Sequence, residues 1–328
     1  MKIKDLFVLK RGFDLPESQR INGKYTVYSS NGIAGTHSEY KIEGPAVITG
    51  RSGSLGKVQY TDYNCWPLNT TLYVSDFKGN NPKYISYLLQ TLHLEKYGSG
   101  SAVPTLNRNH LDNIDVSTHS LAEQQHIVDI IGSIDDKIEN NNKLIDKIWS
   151  KLQLFHIEFK NKNELIEKNI LELAEIKYGK SISTSSILEN GIYPVYGSNG
   201  IIGYLNKFEF NEHKIAISCR GNSSGIIHLT NKQSTITSNS LILDFYDFKF
   251  TYYFYLEFIK KGLYEFKTGS AQPQITIDNL KKLNLMIPRK IDKYTNLVEK
   301  NVDFIFMLKK ENTKLNELKQ LYLKKFFG

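Results

Sequence analysis

Apolar and polar residues follow two different rhythms along the 328-residue chain. Short apolar stretches bounded by Asn-Gly pairs and glycine clusters predict strands and tight turns. Longer stretches, in which apolar residues recur every three or four positions, predict helices. The predicted strands are 25–28, 45–49, 57–60 and 70–74, and again 193–196, 214–218, 225–229 and 240–245. Short helices are predicted from Pro82 to about Lys96 and near 250–261, so the mixture favours an α+β fold over a doubly wound parallel sheet.

The longest periodic stretch begins at a capping-box signature, in which Glu123 follows Ser120 by three residues. Its apolar residues alternate spacings of four and three over more than four heptads, which predicts a long coiled-coil helix. Asn141 interrupts this seam, and it is either a residue that fixes helix register or a tolerated polar residue at a local bend. The other seam residues are Ile127, Ile131, Ile134, Ile138, Ile145, Ile148, Leu152, Phe155 and Phe159.

A second, less regular seam lies near the end of the chain. Its residues are Leu297, Phe304, Leu308, Leu315, Leu318 and Tyr322. Because neither stripe can be buried by its own helix, we expect the two helices to pair with each other as an antiparallel coiled coil. This arrangement predicts a molecule with pseudo-twofold symmetry and a globular head at each end of a helical rod.

An internal repeat organises the whole chain. YTVYSSNGIAG at 25–35 and YPVYGSNGIIG at 193–203 are identical at eight of eleven positions. GRSGSLG at 50–56 lies opposite CRGNSSG at 219–225, which aligns Arg51 with Arg220, and GSAVPTL lies opposite GSAQPQI further on. The chain is therefore two copies of a unit of about 168 residues. The predicted segments are a first head at 1–120, a helix at 121–168, a second head at 169–290 and a helix at 291–328.

Composition and motifs argue against catalysis, membrane insertion and secretion. No run approaches the roughly 18 apolar residues of a membrane span, and the N-terminus lacks the pattern of a secretory signal. Cys65 and Cys219 are isolated, which excludes a zinc cluster and suits a reducing cytosol. The scattered histidines form no HExxH pattern, and no phosphate-binding loop is present. We therefore expect a cytoplasmic protein that carries no metal and no catalytic residue.

The loops between the predicted strands carry side chains suited to DNA. The net charge of +8 suits a nucleic-acid partner, and the basic excess lies mainly in the two heads. Arginine can bind guanine with two hydrogen bonds, and asparagine or glutamine can read adenine. The alternative is that these loops are turns with solvated polar tips, but their matched frames and different tips suit two heads that read different sequences. The candidate DNA-binding residues are Ser30, Asn31, Arg51, Ser52, Ser54, Lys57, Ser101, Thr105, Asn107, Arg108, Ser198, Asn199, Arg220, Asn222, Ser223, Ser270, Gln272 and Gln274.

These motifs, present twice in the same order, resemble the specificity (S) subunit of type I restriction–modification systems. The resemblance rests on the YxVYxSNGIxG segment, the glycine-rich turn after Arg51, the GSAxP loop and the helix that begins SLAEQQHIVDIIGSIDDKI, and it covers essentially the whole chain. It implies two target recognition domains, each of which reads one half of a bipartite asymmetric DNA site. It also implies spacer helices that set the distance between half-sites and bind two methyltransferase (M) subunits.

The resemblance further implies that the chain itself is not an enzyme. Adenine-N6 methylation with S-adenosylmethionine would belong to the M subunits, and cleavage with ATP and magnesium to restriction (R) subunits. The expected partners are therefore double-stranded DNA, two M subunits and, in the full complex, R subunits. Two alternatives are a protein-interaction scaffold and an orphan or silent specificity subunit without an active partner.

Overall fold

The computed structural model describes residues 1–99, 104–269 and 273–328 and contains two compact units. Unit 1 comprises 1–140 and 311–328, and unit 2 comprises 141–310. Each unit therefore combines one predicted head with segments of both long helices. The predicted α+β fold class is confirmed, because each unit packs antiparallel sheet against helices.

Unit 1 is built on a four-stranded antiparallel sheet in the order β1-β7-β4-β5. A second sheet has the order β3-β2-β6, with β2 and β6 parallel, and β8 pairs with β9. The strands are β1 (Val8–Arg11), β2 (Tyr25–Ser29), β3 (Gly32–His37), β4 (Ala46–Gly50), β5 (Val58–Thr61), β6 (Cys65–Pro67), β7 (Thr71–Asp76), β8 (Gly98–Ser99) and β9 (Thr105–Leu106). The helices of this region are α1 (Ile3–Leu6), α2 (Pro82–Thr91), α3 (Arg108–Leu111) and the first part of α4 (Leu121–Lys162).

Unit 2 repeats the four-stranded and three-stranded sheets of unit 1 in the same strand order. Its four-stranded sheet has the order β11-β17-β14-β15, its second sheet the order β13-β12-β16, and β10 pairs with β18. The strands are β10 (Leu165–Asn169), β11 (Ala174–Tyr178), β12 (Tyr193–Gly197), β13 (Gly200–Leu205), β14 (Ile215–Ser218), β15 (Ile227–Leu229), β16 (Thr235–Ile236), β17 (Ser240–Phe245) and β18 (Asn284–Pro288). The helices are α5 (Lys249–Lys261), α6 (Ile277–Leu280) and α7 (Asp292–Phe327), whose last part belongs to unit 1.

Helix α2 is shorter than the sequence predicts. It begins with the side chain of Asn81 accepting from the backbone N–H groups of Lys83 and Tyr84, and it ends at Thr91 instead of Lys96. His93 has a left-handed φ of 47°, which an α-helix cannot accommodate, and a 3-10 turn follows over Leu94–Tyr97.

The predicted start and seam of α4 agree with the structure. The backbone N–H of Ser120 donates to Glu123 Oε2 at 2.8 Å, and the backbone N–H of Glu123 donates to Ser120 Oγ at 3.4 Å. Asn141 is buried inside the uninterrupted helix, with 2% of its surface exposed, and Ile138 is half-buried. The remaining predicted helix-pairing residues of α4 are buried: Ile127, Ile131, Ile134, Ile145, Ile148 and Leu152.

The predicted seam of α7 is partly wrong. Leu297, Phe304 and Leu318 are 45%, 38% and 40% exposed, whereas Leu308 is buried and Leu315 and Tyr322 are half-buried. Apolar residues are often adjacent in the sequence of α7, so two neighbouring faces of this helix both show a helical apolar spacing. The structure buries the stripe of Val298, Val302 and Ile305 instead.

Within unit 1, α4 and the end of α7 run antiparallel. The ring of Phe327 lies 6.0 Å from that of His119, just before α4, whereas Lys137 faces Glu311 at 3.5 Å. Between them, Lys319 Nζ lies 2.8 Å from Asp135 Oδ1. Residues further along α4 therefore contact residues that lie earlier in α7, as expected for antiparallel helices. No helix in the described part of the chain is long and apolar enough to cross a lipid bilayer.

Candidate DNA-recognition surface

Three segments converge at one surface of unit 1. The first is the tip of the β2–β3 hairpin, where the side-chain oxygen of Asn31 accepts a hydrogen bond from Ser54 Oγ in the β4–β5 loop. This loop is the second segment, and its Lys57 Nζ donates to the Asn31 carbonyl at 2.6 Å. These bonds hold the hairpin tip and the loop together and keep a lysine charge beside the asparagine.

The third segment is the stretch that follows residue 103. The backbone N–H of Gly53 donates to the Pro104 carbonyl at 3.3 Å, and that of Leu106 donates to the Arg51 carbonyl at 2.7 Å. The β4–β5 loop is therefore fixed between the hairpin and this stretch. The structure thus brings together candidates that are distant in the sequence, such as Ser52 and Thr105, which form a β-bridge.

Unit 2 builds the same surface from its own residues. Ser223 Oγ donates to the side-chain oxygen of Asn199 at 2.5 Å, which repeats the bond between Ser54 and Asn31. The Ser198 carbonyl accepts from Ser218 Oγ, and Ile275 N–H donates to the Cys219 carbonyl at 3.0 Å. The arrangement of hairpin tip, loop and following stretch is thus a property of the repeated fold.

The sequence alignment of Arg51 with Arg220 is wrong by one residue. Arg51 N–H donates to the Thr70 carbonyl, and the structural counterpart of this bond joins Cys219 N–H to the Asn239 carbonyl. Ser52 forms a β-bridge with Thr105, and Arg220 forms the equivalent β-bridge with Gln274. Arg220 therefore corresponds to Ser52 and not to Arg51. At the end of the loop, Gly56 N–H donates to the Gly50 carbonyl as Gly225 N–H donates to the Ser218 carbonyl, so these glycines are equivalent. The loop of unit 2 therefore contains one more residue than the loop of unit 1. Arg220 is exposed and Arg51 is half-buried, so the two arginines occupy different positions on their surfaces.

The remaining candidates divide into exposed residues and residues with local structural bonds. Asn222 and Gln274 are exposed, and Ser52 and Thr105 are half-buried at the loop. Asn107 caps α3 by accepting from Asn109 N–H at 3.1 Å. The Arg108 guanidinium donates to the Leu9 carbonyl at 3.5 Å. Three candidates, Ser101, Ser270 and Gln272, lie outside the described residues.

Sequence reasoning missed two side chains behind the hairpins. Gln59 Nε2 donates to the Ser29 carbonyl at 3.2 Å in unit 1, and His228 Nε2 lies 3.2 Å from the Ser198 carbonyl in unit 2. Burial lowers the pKa of His228, with Lys309 acting in the same direction and the Ser198 carbonyl opposing both, so the ring is mostly neutral at pH 7. The signal was the period of two in a strand, which places Gln59 on the same face as Lys57.

Unit 2 also contributes a cation that the sequence did not indicate. Lys267 Nζ lies 4.6 Å from the centre of the Tyr264 ring. The Lys267 side chain lies against Gly225 at the end of the β14–β15 loop. A Cβ atom built on this glycine would be only 3.0 Å from Lys267 Cε. Among residues 1–99, 104–269 and 273–328, no group of three or more His, Cys, Asp or Glu side chains could hold a metal ion.

Known proteins resemble this chain in sequence along most of its length. A family model described as the type I restriction modification DNA specificity domain matches residues 1–149 and 163–321. A Mycoplasma genitalium protein whose name describes a type I specificity subunit is 25% identical over 99% of this chain and 92% of its own length. The specificity subunit of the Escherichia coli type I restriction enzyme EcoprrI is 29% identical over 34% of this chain and 28% of that protein.

A solved structure shares the fold. The crystal structure of the type I restriction–modification S subunit from Mycoplasma genitalium superposes with a TM-score of 0.68 at 21% sequence identity. The match covers 100% of this chain and 95% of that one. Because the family model spans most of the chain in two consecutive copies, the chain belongs to the type I restriction–modification DNA specificity family and is a non-catalytic specificity subunit.

Proposed function

We propose that each unit reads one half of a bipartite, asymmetric DNA target through its three-segment surface. Residues 1–120 and 169–290 are then the two target recognition domains. The single observation that carries this proposal is the repeated surface itself. The bond between asparagine and serine is retained in both units, while the loops around it differ in sequence and by one residue in length. A constant frame with different tips suits two different half-sites.

The two long helices, in this proposal, set the distance between the half-sites and bind two M subunits. The family relationship supports this role, and the exposed apolar residues of α7, such as Leu297 and Met307, offer surface for a protein partner. S-adenosylmethionine would be bound by the M subunits, and ATP and magnesium would serve the R subunits. The bases that are read would be contacted by this chain alone.

Substitution of Arg51 by alanine is expected to relax the DNA sequence requirement in one half-site only. A bidentate contact between arginine and guanine contributes about 1–3 kcal/mol of discrimination, so discrimination at one base pair should fall by about five- to 150-fold. The measurement is methylation-motif sequencing of cells that express the variant with its M subunit. Arg220→Ala changes the arginine one position further along the corresponding loop of unit 2 and should relax the other half-site. Loss of discrimination in the same half-site for both variants, or no change for either, would contradict the proposal.

A further inference from the structure

The hairpin segment that is repeated most faithfully contains one identical aliphatic residue whose side chain is not buried within the chain. Seven of its eight identical positions have a clear structural role. Their side chains are packed, they form hydrogen bonds, or they are glycines that allow the backbone to turn. Tyr25 and Tyr193 pack at an angle against neighbouring aromatic rings, Val27 and Val195 are fully buried, and Tyr28 and Tyr196 are almost fully buried. The others are the buried or bonded Ser30 and Ser198, the bonded Asn31 and Asn199, and the glycines with positive φ, Gly32, Gly35, Gly200 and Gly203.

The eighth position is isoleucine in both units, and it is exposed. Ile33 has 71% and Ile201 has 48% of its surface open to solvent. Neither belongs to a hydrophobic cluster of the described residues. Threonine would favour the strand equally and would be better solvated. Burial within the chain therefore does not account for an isoleucine at this place in both copies.

The backbone presents this isoleucine at the proposed DNA-reading surface. Each one directly follows a glycine with positive φ, 128° at Gly32 and 100° at Gly200, in a tip fixed by the bond between asparagine and serine. In unit 1 the Lys57 ammonium stands beside the same tip. In unit 1 an exposed apolar side chain thus lies on a polar tip that carries a lysine charge. Such a surface suits a negatively charged partner that offers a small apolar group.

We propose that Ile33 and Ile201 each contact the C5-methyl group of a thymine in the half-site read by their own unit. This methyl group is the apolar feature that base pairs display in the major groove. The inference rests on the proposed function. Because the isoleucine is the same in both units while the loop tips differ, it serves an element common to both half-sites, an A·T pair.

The test uses the complex of the full chain with its M subunit and duplexes that carry its methylated motif. Each thymine is replaced in turn by deoxyuridine, which removes only the methyl group. The wild-type complex should lose about fourfold in affinity at one position of each half-site, the effect of one methyl group transferred out of water. Ile33→Ser should abolish this penalty in the half-site of unit 1 and leave it in the other, and Ile201→Ser should do the reverse.

Two results would overturn the inference. One is a wild-type complex that binds every deoxyuridine duplex as tightly as the thymine duplex. The other is an Ile33→Ser complex that keeps the full penalty in both half-sites. Because Ile33 is exposed, the variant should keep the wild-type melting temperature, which is measured alongside. A wild-type complex that binds its motif but ignores the methyl groups contradicts this inference alone, whereas one that does not bind its motif contradicts the proposed function as well.

Discussion

Removal of residues 311–328 is expected to unfold unit 1 and leave unit 2 folded. This last part of α7 completes the hydrophobic core of unit 1, where Leu323 is 3% exposed and shares a cluster with Leu88 and Ile131. The Phe327 ring lies 5.2 Å from that of Tyr84. Lys319 neutralises Asp135, which also accepts from the Tyr87 hydroxyl at 2.9 Å. The truncation would expose the core and leave Asp135 without its cation.

The expected cost is a large share of the stability of one unit. Loss of a buried leucine side chain alone costs about 2–5 kcal/mol, against a total of about 5–15 kcal/mol for a typical domain. Hydrogen exchange should therefore show loss of protection in β1, β4 and β7 and retained protection in β11, β14 and β17. Leu323→Ala should show the same pattern in milder form, and Leu321→Ala, at a 66% exposed position, is the matched control. Full protection of unit 1 in the truncated chain would contradict this prediction.

Replacement of Glu257 by alanine is expected to destabilise unit 2 by about 3–5 kcal/mol. This buried carboxylate on α5 is bonded by one histidine and two lysines. His156 Nε2 lies 3.0 Å and Lys160 Nζ 2.8 Å from its Oε2, and Lys261 Nζ lies 2.8 Å from its Oε1. His156 also bonds the Tyr294 hydroxyl at 2.7 Å, so the network joins α5 to α4 and α7. Without Glu257, Lys160 and Lys261 would lose their counter-charge, and the buried His156 would lose a hydrogen-bond partner.

The same substitution predicts a definite pH dependence. Burial raises the pKa of Glu257, but the hydrogen bonds from His156, Lys160 and Lys261 outweigh burial and hold the pKa well below its usual range. A depressed carboxyl pKa contributes stability that is fully present above the unfolded-state pKa of about 4.3 and is lost as the pH falls below it. The difference in unfolding free energy between the wild type and Glu257→Ala should therefore be constant above about pH 5 and shrink in acid.

Denaturant unfolding at several pH values measures this difference. Glu265→Ala removes an exposed carboxylate from the same unit and should change stability little at any pH. A Glu257→Ala chain as stable as the wild type at pH 7 would show that the network contributes nothing. A difference that grows in acid would reverse the predicted sign.

The sequence predicted most of the elements because their signals are local. The capping box at Ser120 and the regular seam of α4 depend on spacing within one helix, and the repeat depends on identical residues. The seam of α7 could not be predicted, because Leu297 and Val298, and likewise Phe304 and Ile305, offer two apolar stripes and only the packed partner chooses between them.

The candidate DNA-binding residues were predicted one by one, and their arrangement in space could not be predicted from the sequence. Nothing local joins Asn31 to Ser54, or the β4–β5 loop to Pro104, since these contacts require the folded sheet. The alignment of Arg51 with Arg220 failed because a glycine- and serine-rich loop hides a one-residue insertion. Backbone hydrogen bonds, which fix equivalent positions, revealed it.

The central claim, that each unit reads its own half of a bipartite DNA target, is tested most directly by exchanging one head. Residues 1–120 are replaced by the corresponding segment of a specificity subunit with a different methylation motif, and the methylated sites of the host are determined by sequencing. The account predicts that one half-site changes while the other half-site and the spacing between them are retained. An unchanged motif, or simultaneous change of both half-sites, would contradict it.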